Sequence, residues 1–204
     1  EIKDILVKKY SFHEVHSYVW CDGRKFKKLG IEVEDNVKVL NIENSDNGVL
    51  RNSMLPTLLV MAQENKDFAD KYSIFEIGRV VDGVDANGLA NERKRLGAVI
   101  YDKSGNEKAA YLKAVEIINC IAGNVKQKNV VYTKISPAHA WQHPKNTAEI
   151  IVDGVSYGSV DVDDELTEIG NNSKELNIHN SLLDEMKTEA ISCNKSNGFC
   201  GLFL

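Results

Sequence analysis

Alternating and helically spaced apolar positions along the chain predict a mixture of strands and helices. Residues 1–9 place apolar side chains on one side of a short helix. Residues 12–20 alternate and are rich in aromatic and β-branched side chains, which predicts a strand. The clearest helix covers 109–122, and Gly123 is expected to end it. The apolar residues that define this helix are Leu112, Val115, Ile118 and Ile121.

Further alternating segments predict most of a sheet. The dipeptide Asp153-Gly154 favours a two-residue turn, so the two strands around it should form a hairpin. Residues 82–91, rich in Gly and Asn, are predicted to be a loop. Because several strands are joined by short turns, we expect an α+β domain with a largely antiparallel sheet flanked by helices. The predicted strands are 37–42, 72–81, 96–101, 130–135, 147–152 and 156–160.

Two further helices are predicted from their first residues. Asp22 is suited to cap a short helix that reaches Leu29. Ser53 is a candidate N-cap for a helix that carries Pro56 in its first turn and continues to about Phe68. We expect one domain over 1–204, in which 161–204 diverges and is partly disordered, with a frayed polar end at 192–198.

Composition and charge limit the function classes. The net charge is −5 and the Lys and Arg residues are not concentrated in one long run, which disfavours binding of DNA or another nucleic acid by this chain alone. No apolar run approaches the ~20 residues of a membrane span. The four cysteines lack metal-ligand spacing and suit free thiols in a reducing cytoplasm. The missing initiator Met and signal peptide suggest an excised piece of a longer cytoplasmic protein.

Four blocks of sequence occur in order: YSFHEV at 10–15, LRNSMLPTLL at 50–59, FEIGRV at 75–80 and HPKNTAEI at 143–150. Together they resemble the core module of the phenylalanyl-tRNA synthetase beta subunit family. With a net charge of −5, this resemblance implies at most weak or indirect contact of the chain with tRNA. The second and third blocks are the most specific, and the resemblance covers about 1–160. Two departures are Lys145-Asn146, where many members have a glycine, and the missing family continuation after Gly158.

The resemblance implies a class II aminoacyl-tRNA synthetase-like core that is catalytically silent. Adenylate formation builds negative charge on phosphate, so a catalytic domain of this class needs fixed cations beside the nucleotide. Val81 and Asp82 stand where a catalytic domain would offer arginine and its acidic companion. The resemblance therefore implies no catalytic, cofactor or metal residues in this chain. The assembled phenylalanine-tRNA ligase would use ATP and Mg2+, with the alpha subunit as the catalytic partner.

The motif residues are candidates for subunit contacts or for structural roles. We expect the opening helix and the helix led by Ser53 and Pro56 to contact the alpha subunit, although packing on their own sheet is the more ordinary role of amphipathic helices. For Arg51 and Glu76, a structural ion pair is favoured over tRNA contact. The full candidate set is Arg51, Ser53, Pro56, Phe75, Glu76, Gly78, Arg79, His143 and Pro144.

Two other functions stay open at this point. A tRNA-contacting module would show a basic face, and a stand-alone small-molecule binding protein on a synthetase fold would show a closed polar pocket. A metal site at His139 and His143 is disfavoured, because the two residues lie in a Pro-containing loop with no adjacent acidic ligand. The acidic run at 161–165 lacks the spacing of a calcium loop.

Overall fold

The computed structural model describes residues 1–28, 36–39, 48–125, 129–138, 142, 146–163 and 198–203. The helices are α1 (Ile2–Asp4), which continues as a π-helix over Ile5–Lys9, then α2 (Gly23–Lys28), α3 (Leu55–Glu64) and α4 (Glu107–Val125). The strands are β1 (His13–Glu14), β2 (Trp20–Cys21), β3 (Val49–Leu50), β4 (Lys71–Val84), β5 (Ala90–Asp102), β6 (Val130–Lys134), β7 (Thr147–Val152), β8 (Val155–Asp163) and β9 (Gly198–Phe203).

The main sheet has seven strands among the described residues, in the order β1-β4-β5-β9-β8-β7-β6. Only β1 pairs in parallel, with β4, and every other neighbouring pair is antiparallel. The strands β2 and β3 form a separate two-stranded sheet. The predicted mixed α+β class with a largely antiparallel sheet is confirmed.

The segment 12–20 is not the single strand that its alternation predicts. Its two ends pair in different sheets: β1 lies against β4, and Trp20 of β2 pairs with Leu50. Between them, the Val15 amide donates to the Phe75 carbonyl at 2.9 Å. The partners come from distant parts of the chain, so local alternation could not show where one sheet gives way to the other. Of the strand predicted at 37–42, Lys38 forms a bridge to Val49, and 40–42 lie outside the described residues.

The predicted loop at 82–91 is shorter in the structure, because its two ends belong to β4 and β5, which form one long hairpin. The strands pair from Lys71 with Asp102 to Val84 with Ala90, and the turn is Asp85–Leu89. The Asp85 carboxylate accepts the amides of Asn87 and Leu89 at 2.8 and 2.9 Å. The ends of β4 and β5 next to the turn are exposed to solvent. Because this part of the hairpin needs no apolar face, a polar sequence can still form strands there.

The helices agree with the predictions in place and differ at their ends. Asp22 precedes α2 as expected and accepts the Arg24 amide at 3.0 Å; Leu29 lies outside the described residues. The helix α3 ends at Glu64 rather than near Phe68. At this end, the Asn65 side chain donates to the Met61 carbonyl at 2.7 Å. In α4, Gly123 is an interior residue, because the helix continues to Val125.

The two faces of the sheet bury different helices. Side chains of one parity, including Phe75, Leu96 and Ala98, pack with α4 in the larger core. Side chains of the other parity, including Ile74, Val80 and Val99, pack with α3. We call these the α4 face and the α3 face. The predicted hairpin at 147–160 is confirmed, and Asp153 and Gly154 take the positive φ values of 53° and 76° that its turn needs.

The last described segment of the chain is a strand. Gly198–Phe203 form β9, which lies between β5 and β8 in the middle of the sheet. Of the frayed end predicted at 192–198, only Gly198 is among the described residues, and it begins this strand. Residues 164–197, predicted to be partly disordered, lie outside the described residues.

Candidate functional site

A buried ion pair joins the two most specific sequence motifs. Arg51, just before α3, and Glu76, on β4, have side chains that are only 2% and 3% exposed. Arg51 Nη2 donates to Glu76 Oε1 at 3.0 Å, and Nη1 approaches Oε2 at 3.4 Å. This two-point contact matches the planar guanidinium to the carboxylate. The ion pair proposed from the sequence therefore forms inside the protein.

Two further groups complete the surroundings of the Arg51 side chain. Arg51 Nη1 donates to Ser17 Oγ at 2.6 Å, and the Ser17 hydroxyl donates to Glu76 Oε2 at 2.5 Å. Arg51 Nε donates to the main-chain carbonyl of Arg79 at 2.9 Å. A buried charge needs such partners, because desolvation otherwise outweighs the attraction between the ions. The pair is thus satisfied by protein groups alone.

The main chain of Arg51 also ties the two sheets together. Its amide donates to the Val19 carbonyl at 2.9 Å, and its carbonyl accepts the Val81 amide at 2.8 Å. Cys21, in the small sheet, is buried beside this charge. Burial raises the pKa of the Cys21 thiol to about 12, against the opposing charge of Arg51, so the thiol is neutral near pH 7.

Two glycines allow the ion pair and α3 to approach the sheet. A Cβ on Gly78 would lie 2.4 Å from Arg51 Nη2 and 2.7 Å from Glu76 Oε1. A Cβ on Gly97, which pairs with Glu76 across the strands, would lie 2.6 Å from Met54 Cβ. Each of these three distances is shorter than the closest approach that a Cβ atom makes to another heavy atom. The glycine in the FEIGRV motif is therefore explained by close packing.

Three further motif residues make contacts that stabilise the fold. Ser53 precedes the observed N-cap, Met54, and its hydroxyl accepts the Leu55 amide at 3.3 Å. Pro56 is the second residue of α3 and is buried. Phe75 lies on the opposite, α4 face, with its ring edge-on to Phe12 at a centroid distance of 6.3 Å.

Two exposed arginines on the β4–β5 hairpin are paired with carboxylates of the same hairpin. Arg79 Nη1 lies 3.1 Å from Glu92 Oε2. Val81 is buried, and Asp82 contacts Arg93 Nε at 3.2 Å. Val81 and Asp82 stand where a catalytic domain would be expected to offer arginine and its acidic companion, and they are an apolar side chain and a carboxylate that is already paired.

The fourth motif is only partly visible. His143 and Pro144, like His139, lie outside the described residues. In the described part of the chain, no group of three or more His, Cys, Asp or Glu side chains could hold a metal ion. Nor is any described helix long and apolar enough to cross a membrane.

Sequence reasoning missed Ser17, which contacts both charged members of the site. Its position in a segment predicted to be a strand gave no sign of this role. The alternation of 12–20 predicts that Ser17 lies on the strand face opposite to His16 and Tyr18. However, the pairing of β1 with β4 has ended before Ser17. Gly97 was not among the candidate residues, and its role as a contact surface for Met54 appears only in the folded protein.

Comparison with protein families identifies the chain. The model of the phenylalanyl tRNA synthetase beta chain CLM domain matches residues 1–162. The chain belongs to this family. The match includes all four sequence blocks that carry the resemblance, and it ends within β8.

Curated relatives are phenylalanine-tRNA ligase beta subunits. The chain is 27% identical to that of Solibacter usitatus over 147 residues, covering 72% of this chain and 18% of the relative. It is 28% identical to that of Methanocaldococcus jannaschii over 160 residues, covering 77% of this chain and 28% of the relative. The chain thus spans less than a third of the length of these beta subunits.

Solved structures with a similar fold include tRNA synthetases of another specificity. The pyrrolysyl tRNA synthetase PylSc of Desulfitobacterium hafniense matches with a TM-score of 0.60 and 16% identity, over 99% of this chain and 62% of that chain. A second structure of the enzyme from this organism gives a TM-score of 0.59 and 17% identity, over 99% and 64%. At this identity the likeness concerns the fold, which agrees with the synthetase-like core of the family.

Proposed function

We propose that this family member is the non-catalytic core domain of a phenylalanine-tRNA ligase beta subunit, which packs against the catalytic alpha subunit. Family membership supports a beta-subunit role. The contact with alpha and the lack of catalysis are the proposal. ATP and Mg2+ would act in the assembled enzyme and would bind outside this chain.

The observation that carries the proposal is that the arginines of the two most specific motifs, Arg51 and Arg79, and the neighbouring Arg93 are each paired with a carboxylate of this chain. Arg51 is neutralised by Glu76 and is shielded from solvent. Arg79 and Arg93 are paired with Glu92 and Asp82. A phosphate group would have to compete with these carboxylates, whereas catalysis of adenylate formation needs cations that are preorganised for the phosphate.

The same charge pattern argues against direct tRNA binding as the main role. Phosphate contacts need cations that release their counterions on binding. Several exposed cations of the described residues are held by carboxylates, among them Lys25 by Glu64 and Lys71 by Asp102. With a net charge of −5, the chain has little excess positive charge for a phosphate backbone.

For the contact with the alpha subunit, we favour the C-terminal end of α3. A groove of about 210 Å³ lies between this end of the helix and the edge strand β1, and we call it the α3 groove. Phe68, just after α3, is 77% exposed at the groove. An exposed aromatic side chain beside an apolar groove is typical of a binding surface. The residues that line it are His13, Val15, Met61, Asn65, Phe68, Tyr72 and Ile74.

The opening helix is a weaker candidate for this contact. Leu6 is fully buried, and Ile2 and Ile5 pack against the larger core. Only Val7 among its larger apolar side chains is notably exposed, at 44%. Most of the apolar side of this helix is therefore already covered by the domain itself.

The test is to mix this chain with the matching alpha subunit and to measure complex formation by analytical ultracentrifugation. We expect a complex with the native chain, and at least tenfold weaker binding with Phe68→Glu. Leu112→Glu is the matched control, because Leu112 is a half-exposed apolar residue on α4 and the charge change is the same. Binding that Phe68→Glu leaves intact would contradict the proposed surface.

Phenylalanine-dependent ATP–pyrophosphate exchange tests the lack of catalysis. We expect exchange from preparations that contain the alpha subunit and none from this chain alone. Exchange by this chain would refute the non-catalytic role. A chain that fails to bind alpha and instead retains labelled tRNA in a filter assay would favour the tRNA-contacting alternative.

A further inference from the structure

Two nucleophilic side chains from distant parts of the chain meet on the surface of α4. Lys9, the last residue of the π-helix, places its Nζ atom 3.2 Å from the Sγ atom of Cys120. The two residues are 111 positions apart in the sequence. Cys120 is a free cysteine and is partly exposed, whereas the free Cys21 is buried. The contact therefore joins a reachable thiol to an amine from another element.

The main chain around Lys9 has an unusual conformation. Ile5–Lys9 form a π-helix rather than a regular α-helical turn, and Ser11 has a positive φ of 57°. The Phe12 amide donates to the Leu6 carbonyl at 3.0 Å and closes this segment. Short π-helices and left-handed residues other than glycine are found most often at functional sites. The contact with α4 thus lies within a segment whose backbone departs from the regular forms.

Further polar groups surround the sulfur. Asn124 Nδ2 lies 3.4 Å from Sγ of Cys120, and the Tyr10 hydroxyl donates to Glu116 Oε1 at 3.0 Å, one turn earlier on α4. Hydrogen bonds with Tyr10 and Lys9 hold the pKa of the Cys120 thiol below its usual value. Burial and the Glu116 carboxylate act in the opposite direction. A partly exposed thiol beside a cation is the setting in which the reactive thiolate is typically formed.

We propose that Cys120 is a site of oxidation by hydrogen peroxide, and that Lys9 captures the oxidised sulfur in a sulfur–nitrogen bond. The nitrogen and the sulfur are already 3.2 Å apart. Reacting atoms held about 3–3.5 Å apart need little further ordering before a bond forms. The inference does not rest on the proposed function, because neither residue lines the α3 groove.

The first step oxidises the sulfur by two electrons. The Cys120 thiolate attacks one oxygen of hydrogen peroxide, the oxygen–oxygen bond breaks, and hydroxide leaves, which gives a sulfenic acid. The Lys9 ammonium loses a proton to this hydroxide, and the neutral nitrogen attacks the sulfur. A sulfur–nitrogen bond forms, and the sulfur–oxygen bond breaks as the oxygen leaves as water with a second proton from the nitrogen. Thiolate, ammonium and peroxide thus give one sulfenamide and two molecules of water.

The new bond ties the opening helix to α4. It closes a loop between residues 111 positions apart, and a cross-link over a long loop stabilises a protein chiefly by restricting the unfolded chain. The bond is reversible, because an added thiol attacks the sulfur and releases the Lys9 amine. The stability of the domain therefore depends on the redox conditions.

The test treats the full 204-residue chain with a small excess of hydrogen peroxide and maps its peptides by proteolysis and mass spectrometry. We expect one species that contains both Lys9 and Cys120, is two hydrogen atoms lighter than the separate peptides, and disappears with dithiothreitol. The thermal midpoint should rise by about 5 °C or more. The absence of this species would overturn the proposal, whether or not Cys120 is oxidised. A cross-linked species that retains an oxygen atom would overturn it as well.

Lys9→Arg removes the nucleophilic amine and keeps a positive charge beside the sulfur. The sulfenic acid should still form but stay uncaptured, so the cross-link disappears and the dimedone adduct of Cys120 increases at least threefold. The matched control is Lys8→Arg, the same change at the neighbouring exposed lysine, which is paired with Asp4 at 2.5 Å. Its yield of cross-link should stay within about twofold of the native yield. Equal loss of the cross-link in the two variants would overturn capture by Lys9.

Cys21 is the internal reference for selectivity. Its thiol is buried and neutral near pH 7, so in Lys9→Arg its dimedone adduct should be at least tenfold less abundant than that of Cys120. Equal labelling of the two cysteines would show oxidation without selectivity and would overturn Cys120 as a distinct site.

Discussion

The two faces of the main sheet bury their helices with different chemistry. On the α3 face, the side chains of Arg51 and Glu76 are almost fully buried. The missing side chains of Gly78 and Gly97 allow this ion pair and Met54 to pack closely against the strands. On the α4 face the interior is apolar, and the nearby carboxylate of Asp102 is bonded to the exposed Lys71 at 2.8 Å.

This difference changes what each face tolerates. An apolar core depends on volume, so similar side chains can replace one another with moderate losses. A buried ion pair depends on every partner, because removal of one ion leaves the other desolvated. The motif residues of the family lie mostly on the α3 face, which holds the buried ion pair. Because this pair depends on every partner, the α3 face carries the most recognisable sequence.

The largest expected effect is the loss of charge at Glu76. In Glu76→Gln, Arg51 stays buried without a counterion, and we expect a loss of about 3–5 kcal/mol in the free energy of unfolding. Urea denaturation followed by circular dichroism measures this loss. The control Glu92→Gln breaks the exposed pair with Arg79 and should cost less than about 1 kcal/mol. Similar losses in the two variants would show that the α3 face is no more sensitive than the surface.

The close approach of α3 to the sheet is tested at Gly97. The added methyl of Gly97→Ala would overlap Met54 Cβ and Leu58 Cδ1, at 2.6 and 2.8 Å. Overpacking of this kind costs about 1–3 kcal/mol. The change in the thermal midpoint measures it, and a variant as stable as the native chain would show that α3 can move away from the strands without loss.

The carboxylate beside the α4 face is tested through pH. Burial raises the pKa of Asp102, but bonds from Lys71 and Ser104 outweigh burial and hold the pKa below its usual value. A lowered pKa contributes stability above the unfolded pKa of about 3.9, and this contribution is lost as the pH falls through the folded value. In Asp102→Asn we expect a loss of about 0.5–1.5 kcal/mol at pH 7.

The stability difference between the native chain and Asp102→Asn should therefore begin to shrink below about pH 4 and vanish below the folded pKa of Asp102. Urea denaturation at pH 7, 5 and 3 measures the two curves. Lys103→Ala, which removes an exposed ion pair with Asp70, is the control and should show little change at any of these pH values. A difference between the native chain and Asp102→Asn that is as large at pH 3 as at pH 7 would mean that the carboxylate charge is not its source.

The smallest expected effect has the opposite sign. Gly123 lies inside α4, and a Cβ there would meet no atom within 4 Å. Alanine favours a helix interior over glycine by about 0.5–1 kcal/mol, so Gly123→Ala should raise the thermal midpoint. Compared with Gly97→Ala, this variant separates the conformational effect of glycine from its role in close packing. A loss of stability would mean that Gly123 meets a neighbour outside the described residues.

Much of the architecture was accessible from local pattern. The helix α4, the hairpin of β7 and β8, and the motif-bearing strand β4 follow from spacing and turn chemistry that involve only near neighbours in the chain. The errors occurred where the partner is distant. The strand β9 in the middle of the sheet was not predicted, and the predicted strand at 12–20 is divided between two sheets, because pairing across the sheet supplies hydrogen bonds that no local pattern shows.

The amino-acid sequence by itself determined the mixed α+β class, the synthetase beta-subunit family and the pairing candidates Arg51 and Glu76, since composition, periodicity and ordered motifs are properties of the chain alone. Only the tertiary structure decided that Ser17 joins this pair and that Gly97 makes room for Met54. These features depend on which distant segments pack together. That choice is made by burial and main-chain pairing over the whole domain rather than by near neighbours.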